Sequence, residues 1–174
     1  MKICLMGVGN VLMGDDAIAP YVLKSLEAAF DFGPDVTVLD AGTPGLDLTL
    51  FLDGFDALVV VDAVKATGKP GEVRAWRRAE LLDKPVPIVL SPHEPTLREA
   101  LIRLNMMGRC PREVLLIGVI PARVETGAGL SSEVRRALPI IEAQIMRELL
   151  RLGARPAPRA APTIPDVWWE APAA

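Results

Sequence analysis

Along the chain, short runs of aliphatic residues alternate with stretches whose apolar positions recur every three or four residues. Apolar runs at 2–7, 36–40, 56–62 and 114–120 have the length and β-branched content of strands. The segments 56–62 (Asp-Ala-Leu-Val-Val-Val-Asp) and 114–120 (Val-Leu-Leu-Ile-Gly-Val-Ile) are continuously apolar, as expected for strands covered on both faces. Between them, 72–77 (Glu-Val-Arg-Ala-Trp-Arg) alternates polar and apolar residues. That pattern suits an edge strand, and Lys69-Pro70-Gly71 supplies a turn that permits an antiparallel run.

Helical spacing fills the gaps. Ile18, Val22, Leu26, Ala29 and Phe30 share one face of a helix expected from about Asp16 to Phe30. Thr43-Pro44 reads as an N-cap with proline at the first helical position, opening a short helix to about Asp53. Further helices are expected over 95–107 and 131–152, with Pro139 kinking or splitting the last. Strands alternating with helices predict a three-layer α/β/α sandwich around a mostly parallel sheet. The expected organisation is one such domain over 1–152, followed by a tail over 153–174. That tail is dominated by alanine and proline and carries Trp168 and Trp169. It reads either as disordered chain or as a docking segment that buries its paired indoles.

Composition narrows the function. The 174 residues are 51% hydrophobic but only 5% aromatic, and the net charge is −3, so neither a base-stacking surface nor a basic footprint for nucleic acid is present. No apolar run approaches the length of a membrane helix. Asp15 and Asp16 interrupt the apolar N-terminal stretch too early for a signal peptide, so a cytoplasmic protein, expected as a monomer, is the default. Two cysteines, Cys4 and Cys110, are too few for a disulfide framework or a thiolate zinc site, and Cys4 sits where a strand buries a small filler.

The chemistry gathers where strands end. In open parallel sheets, ligands bind beyond the carboxyl ends of the strands. The first strand runs into Gly7-Val8-Gly9-Asn10-Val11-Leu12-Met13-Gly14-Asp15-Asp16. A glycine-rich turn of this kind usually cradles phosphate, but two adjacent carboxylates would repel it, which disfavours a nucleotide site. The turn suits a cation or acid–base work. The second strand ends at Asp40-Ala41-Gly42-Thr43, the third at Asp62, and the sole histidine, His93, lies in Ser91-Pro92-His93-Glu94-Pro95 before a helix.

Each residue also has a plain structural use. Asp15 can cap a helix and Asp40 can accept hydrogen bonds from its own turn. Asp62 ends a buried strand, where a carboxylate needs a partner or a metal. Two carboxylates and one imidazole make a three-ligand set open to water or substrate, suited to a borderline divalent ion such as nickel or zinc. Neither a His-Glu-x-x-His helix nor a Gly-x-Ser-x-Gly elbow occurs.

Taken in order, these blocks resemble the hydrogenase maturation proteases, endopeptidases that trim the C-terminal extension of nickel–iron hydrogenase large subunits. The resemblance covers about residues 2–150. It rests on the 7–16 turn, Asp40-Ala41-Gly42-Thr43, Val61-Asp62-Ala63-Val64, Ser91-Pro92-His93-Glu94, Ile117-Gly118-Val119-Ile120-Pro121 and Gly129-Leu130-Ser131. It implies a five-stranded, phosphorylase/hydrolase-like twisted sheet with one antiparallel strand between helical layers. It also places Asp16, Asp62 and His93 at the family's nickel-contacting and catalytic positions. The implied partner is a hydrogenase large-subunit precursor that brings the nickel, so that metal insertion licenses cleavage. Ala17 and Ala19-Pro20 depart from the family's glycines, and the chain after 153 lies outside the pattern. Two other readings compete. A peptidyl-tRNA hydrolase shares the Gly-x-Gly-Asn turn, but would want a histidine soon after it and a basic surface. A non-catalytic metal-sensing chaperone or adaptor of the same fold differs from the protease only in failing to cleave.

Overall fold

A computed structural model describes residues 1–43, 48–83 and 97–170 of the chain. Among them, five strands form one sheet: β1 (Ile3–Gly7), β3 (Val36–Asp40), β4 (Ala57–Ala63), β5 (Val73–Arg77) and β6 (Glu113–Val119). The order is β3-β1-β4-β6-β5, with the first four parallel and β5 antiparallel at the edge. This is the mixed sheet expected from the sequence, including the reversal after Lys69-Pro70-Gly71.

Strand periodicity divides the core into two layers. On β4, Val59, Val61 and Ala63 point into one cluster, while Leu58 and Val60 point into the other. Every residue of β4 is therefore buried. The first cluster is closed by α1 (Ile18–Ala29) through Ile18, Val22 and Leu26, and by α6 (Leu138–Arg151) through Ile141, Ile145 and Leu149. The second is closed by α2 (Leu48–Leu52), α3 (Arg78–Asp83) and α4 (Leu97–Met106), the last through Leu97, Leu101 and Leu104. In each long helix the buried side chains recur at i, i+4 and i+7 or i+8, so one stripe faces the sheet.

Local chemistry moves several boundaries. The first helix does not begin as α-helix at Asp16. Gly14–Ala17 forms a single 3-10 turn, and α-helical bonding starts at Ile18. It ends one residue early, because Phe30 is extended and opens β2 (Phe30–Asp31). The last helix is split as Pro139 predicts: α5 (Ser132–Arg135), capped by the Ser131 hydroxyl, precedes α6, and Pro139 lies in the first turn of α6. Helix α3 has no counterpart in the sequence reading, since its six residues bury only Leu81 and show no period. The expected helix start at Thr43-Pro44 and the start at Pro95 lie outside the described residues, apart from Thr43 itself.

The segment after Gly153 folds back onto the domain. Strand β7 (Ala157–Pro158) pairs antiparallel with β2, and Trp169 is only 6% exposed, while its neighbour Trp168 is 69% exposed. The Trp169 indole meets the Tyr21 ring edge-on at 5.2 Å. Glu170 pairs with Arg135 of α5, whose guanidinium lies over the same Tyr21 ring at 5.6 Å. Of the two uses open to the paired indoles, Trp169 takes the docked one.

Candidate active site at the carboxyl edge of the sheet

The turn after β1 is built so that its backbone folds tightly over the acid pair. The Val8 N–H donates to the Val61 carbonyl and the Gly9 N–H to the Gly42 carbonyl, which ties together the ends of β1, β4 and the chain leaving β3. Gly9 lies so close to Asp16 that an added Cβ would sit 2.0 Å from the Asp16 carbonyl oxygen. Only glycine fits there, and its φ of +147° is one that side chains rarely adopt.

The two adjacent carboxylates diverge. Asp15 is fully buried and reaches across to the segment after β6. One carboxylate oxygen accepts from the Ala122 and Arg123 N–H groups at 2.8 and 3.0 Å and from the Ser131 hydroxyl at 2.9 Å. The other accepts from the Ser131 N–H at 2.6 Å. Asp15 therefore does not cap its own turn; it stitches the acid turn to residues 122–131. The sequence alone is compatible with a local cap or a chemical role for Asp15. Ser131, a serine just before a helix, was the signal for the true partner.

Asp16 instead stays with its own turn, where its Oδ2 accepts from the Asn10 N–H at 2.8 Å. It is 6% exposed and sits on the 3-10 turn that contacts β4. Asp62 is 8% exposed near the end of β4, one residue beyond Val61, which is the register partner of Gly7. Two nearly buried carboxylates thus stand at the same end of adjacent strands. His93, the third expected member, lies outside the described residues. Among the described residues, no three His, Cys, Asp or Glu side chains are grouped to hold a metal. The oxygen donors of Asp16 and Asp62 suit a hard or borderline divalent ion, and the same pair suits proton transfer to or from water.

The other candidates resolve into structure. One oxygen of Asp40 accepts from the Gly42 N–H two residues on, at 3.0 Å, the local turn bond foreseen for it. Burial pushes the Cys4 thiol up to about 12, so it is protonated and inert inside the sheet. The methyl groups of Ala17 and Ala19 are fully buried in the core beneath the turn. An added Cβ at Gly7 would lie 3.2 Å from that of Ala19, so this stretch of α1 packs directly against the strand end. No helix of the described residues is long and apolar enough to cross a membrane.

Known proteins are similar to this chain in sequence and in fold. A family model described as hydrogenase maturation protease matches residues 20–148. The hydrogenase 2 maturation protease of Escherichia coli K12 is 32% identical over 166 residues, covering 92% of this chain and 98% of that protein. Among solved structures, the hydrogenase maturating endopeptidase HybD from E. coli superposes with a TM-score of 0.81 at 31% identity, covering 92% of this chain and 99% of that one. A NiFe hydrogenase maturation protease, HycI, from Thermococcus kodakarensis KOD1 gives a TM-score of 0.63 at 25% identity over 86% of this chain and 92% of its own.

Proposed function

Because the chain belongs to the hydrogenase maturation protease family, and is therefore a peptidase, we propose that it removes the C-terminal extension of a nickel–iron hydrogenase large-subunit precursor after nickel insertion. On this reading Asp16, Asp62 and His93 meet the nickel that the precursor carries. The observation that carries the reading is the pair of nearly buried carboxylates, Asp16 on the turn that follows β1 and Asp62 near the end of the adjacent β4. A site with few oxygen and nitrogen donors and no thiolate binds nickel weakly by itself. It responds to the metal only when the substrate supplies the remaining ligands, which makes cleavage conditional on prior insertion.

A carboxylate beside the bound peptide can take a proton from the attacking water, and the metal, when present, supplies Lewis-acid polarisation. Asp16 is the candidate base, because the Asn10 N–H anchors one of its oxygens and so fixes the orientation of the carboxylate.

The test is incubation of the purified protein with precursor large subunit, loaded with nickel or nickel-free, followed by intact mass measurement. Loss of a C-terminal fragment only from the nickel-loaded precursor is the expected outcome. Equal cleavage of both forms would remove the metal from recognition. Binding without cleavage would make this chain a metal-sensing adaptor.

A further inference from the structure

Asp62 of β4 pairs in register with Gly118 of β6, and Gly118 pairs with Arg74 of β5. The three positions form a row across the sheet, with Asp62 and Arg74 about 10 Å apart at two strand spacings. The middle of the row is bare. A Cβ at Gly118 would lie 2.7 Å from both the Trp76 ring and the Val64 methyl groups, so these two side chains close over the glycine.

They form part of the lining of a cleft of about 880 Å³, walled by Ile120 and rimmed by Lys65, Arg74 and Arg123. The volume is that of a ligand cleft, apolar inside with a few polar groups at the edge. Its lining holds three cationic side chains and no carboxylate, in a protein of net charge −3. Arg74 is held by Glu72 at 2.9 Å and Arg123 lies 3.7 Å from Glu125, whereas Lys65 forms no ion pair among the described residues. The wall is also fixed to the acid turn, because the Ala122 and Arg123 N–H groups donate to Asp15. The cleft and the carboxylates are thus parts of one rigid edge.

We infer that this cleft binds an extended stretch of the substrate peptide next to the scissile bond, one bearing a bulky apolar side chain and, within a residue or two, a carboxylate. The apolar side chain lies on Trp76 and Ile120, and the carboxylate meets Lys65 and Arg123. A half-buried indole face and the unpaired charge of Lys65 beside Arg123 select for that combination of groups. The inference rests on the protease reading for the direction of the chain past Asp62, but the cleft's preference is measurable without cleavage.

The probes are two peptides, acetyl-Ala-Leu-Asp-Leu-Ala-amide and its counterpart with lysine in place of aspartate. They are titrated into the full chain while the Trp76 indole N–H resonance is followed. The expected result is movement of that resonance and at least tenfold tighter binding of the aspartate peptide. The double variant Lys65→Glu/Arg123→Glu, altered only at exposed positions, should lose or reverse the preference. Asp62→Asn should keep it. With precursor as substrate, the same double variant should raise KM tenfold or more with kcat unchanged. Equal binding of the two peptides, an unmoved Trp76 resonance, or an unchanged preference in the double variant would overturn the inference. Selective peptide binding by a protein that cleaves no precursor would leave the cleft standing and remove the protease reading alone.

Discussion

The carboxylate of Asp15 accepts hydrogen bonds from both the backbone N–H and the hydroxyl of Ser131, at 2.6 and 2.9 Å, across 116 residues of chain. The same serine hydroxyl caps α5 by accepting from the Val134 N–H. One side chain therefore couples the turn that carries Asp16 to the helix that Glu170 grips through Arg135. Neighbouring aspartates in one motif part ways: Asp15 binds residues 122–131, while Asp16 stays with its own turn and is the one assigned to the proposed chemistry.

Removing that frame should unfold more than the site. Asp15→Ala leaves buried donors at Ala122, Arg123 and Ser131 without an acceptor, and should cost roughly 3 kcal/mol or more. Asp15→Asn retains one acceptor oxygen and should cost about 1–3 kcal/mol. Urea unfolding midpoints measure both. A near-wild-type midpoint for Asp15→Ala would mean that solvent reaches those donors.

Substitutions at the proposed nickel-contacting positions should behave differently. Asp16→Asn, Asp62→Asn and His93→Ala are each expected to abolish processing of a nickel-loaded precursor. Intact mass measurement of the precursor after incubation reports this directly. Wild-type processing by the His93 variant would remove imidazole from the mechanism, and by either asparagine variant would remove that carboxylate.

Acid sensitivity should originate far from this edge. Burial alone would raise the pKa of Glu148, but hydrogen bonds and charge from Arg151 and Arg77 outweigh it and hold the carboxyl down to about 2. A carboxyl whose folded pKa lies below its unfolded value of about 4.5 contributes stability above that value. The contribution is lost as pH falls from about 4.5 to about 2. Glu148→Gln should lower stability at neutral pH by roughly 1–3 kcal/mol, discounted for the half-exposed arginines. It should also flatten the decline over that acid window. Unfolding midpoints of wild type and variant between pH 7 and 2 give the comparison; parallel curves would assign acid sensitivity to other carboxylates.

The two C-terminal tryptophans should separate cleanly. Trp169→Ala empties the contact with Tyr21 and should cost roughly 3 kcal/mol. Trp168→Ala removes a largely exposed ring and should change stability by less than about 0.5 kcal/mol. Burial pushes the Tyr21 phenol up to about 12. Equal melting temperatures for the two variants would mean that the indole contact contributes nothing.

Much of this molecule is written in local pattern. The apolar period sets β1, β4 and β6 and the faces of α1, α4 and α6, because a strand or helix must bury whichever side is apolar. Pro139 splits the last helix because proline cannot donate the bond a continuous helix needs. Lys69-Pro70-Gly71 turns the chain so that β5 runs antiparallel. The strand ends likewise mark Asp16 and Asp62, since a parallel sheet brings all its carboxyl ends to one edge. What the sequence could not decide are relations between distant residues. Asp15 was indistinguishable from a local cap until Ser131 came within hydrogen-bonding distance. Trp169 was equally compatible with a loose tail until Tyr21 offered a ring edge and Arg135 a charge for Glu170. The trough over Gly118 exists only because β4, β6 and β5 align Asp62, Gly118 and Arg74 in one row. Periodicity specifies which face of an element is buried, whereas partner choice depends on how separately folded elements meet in space, and no local signal encodes that.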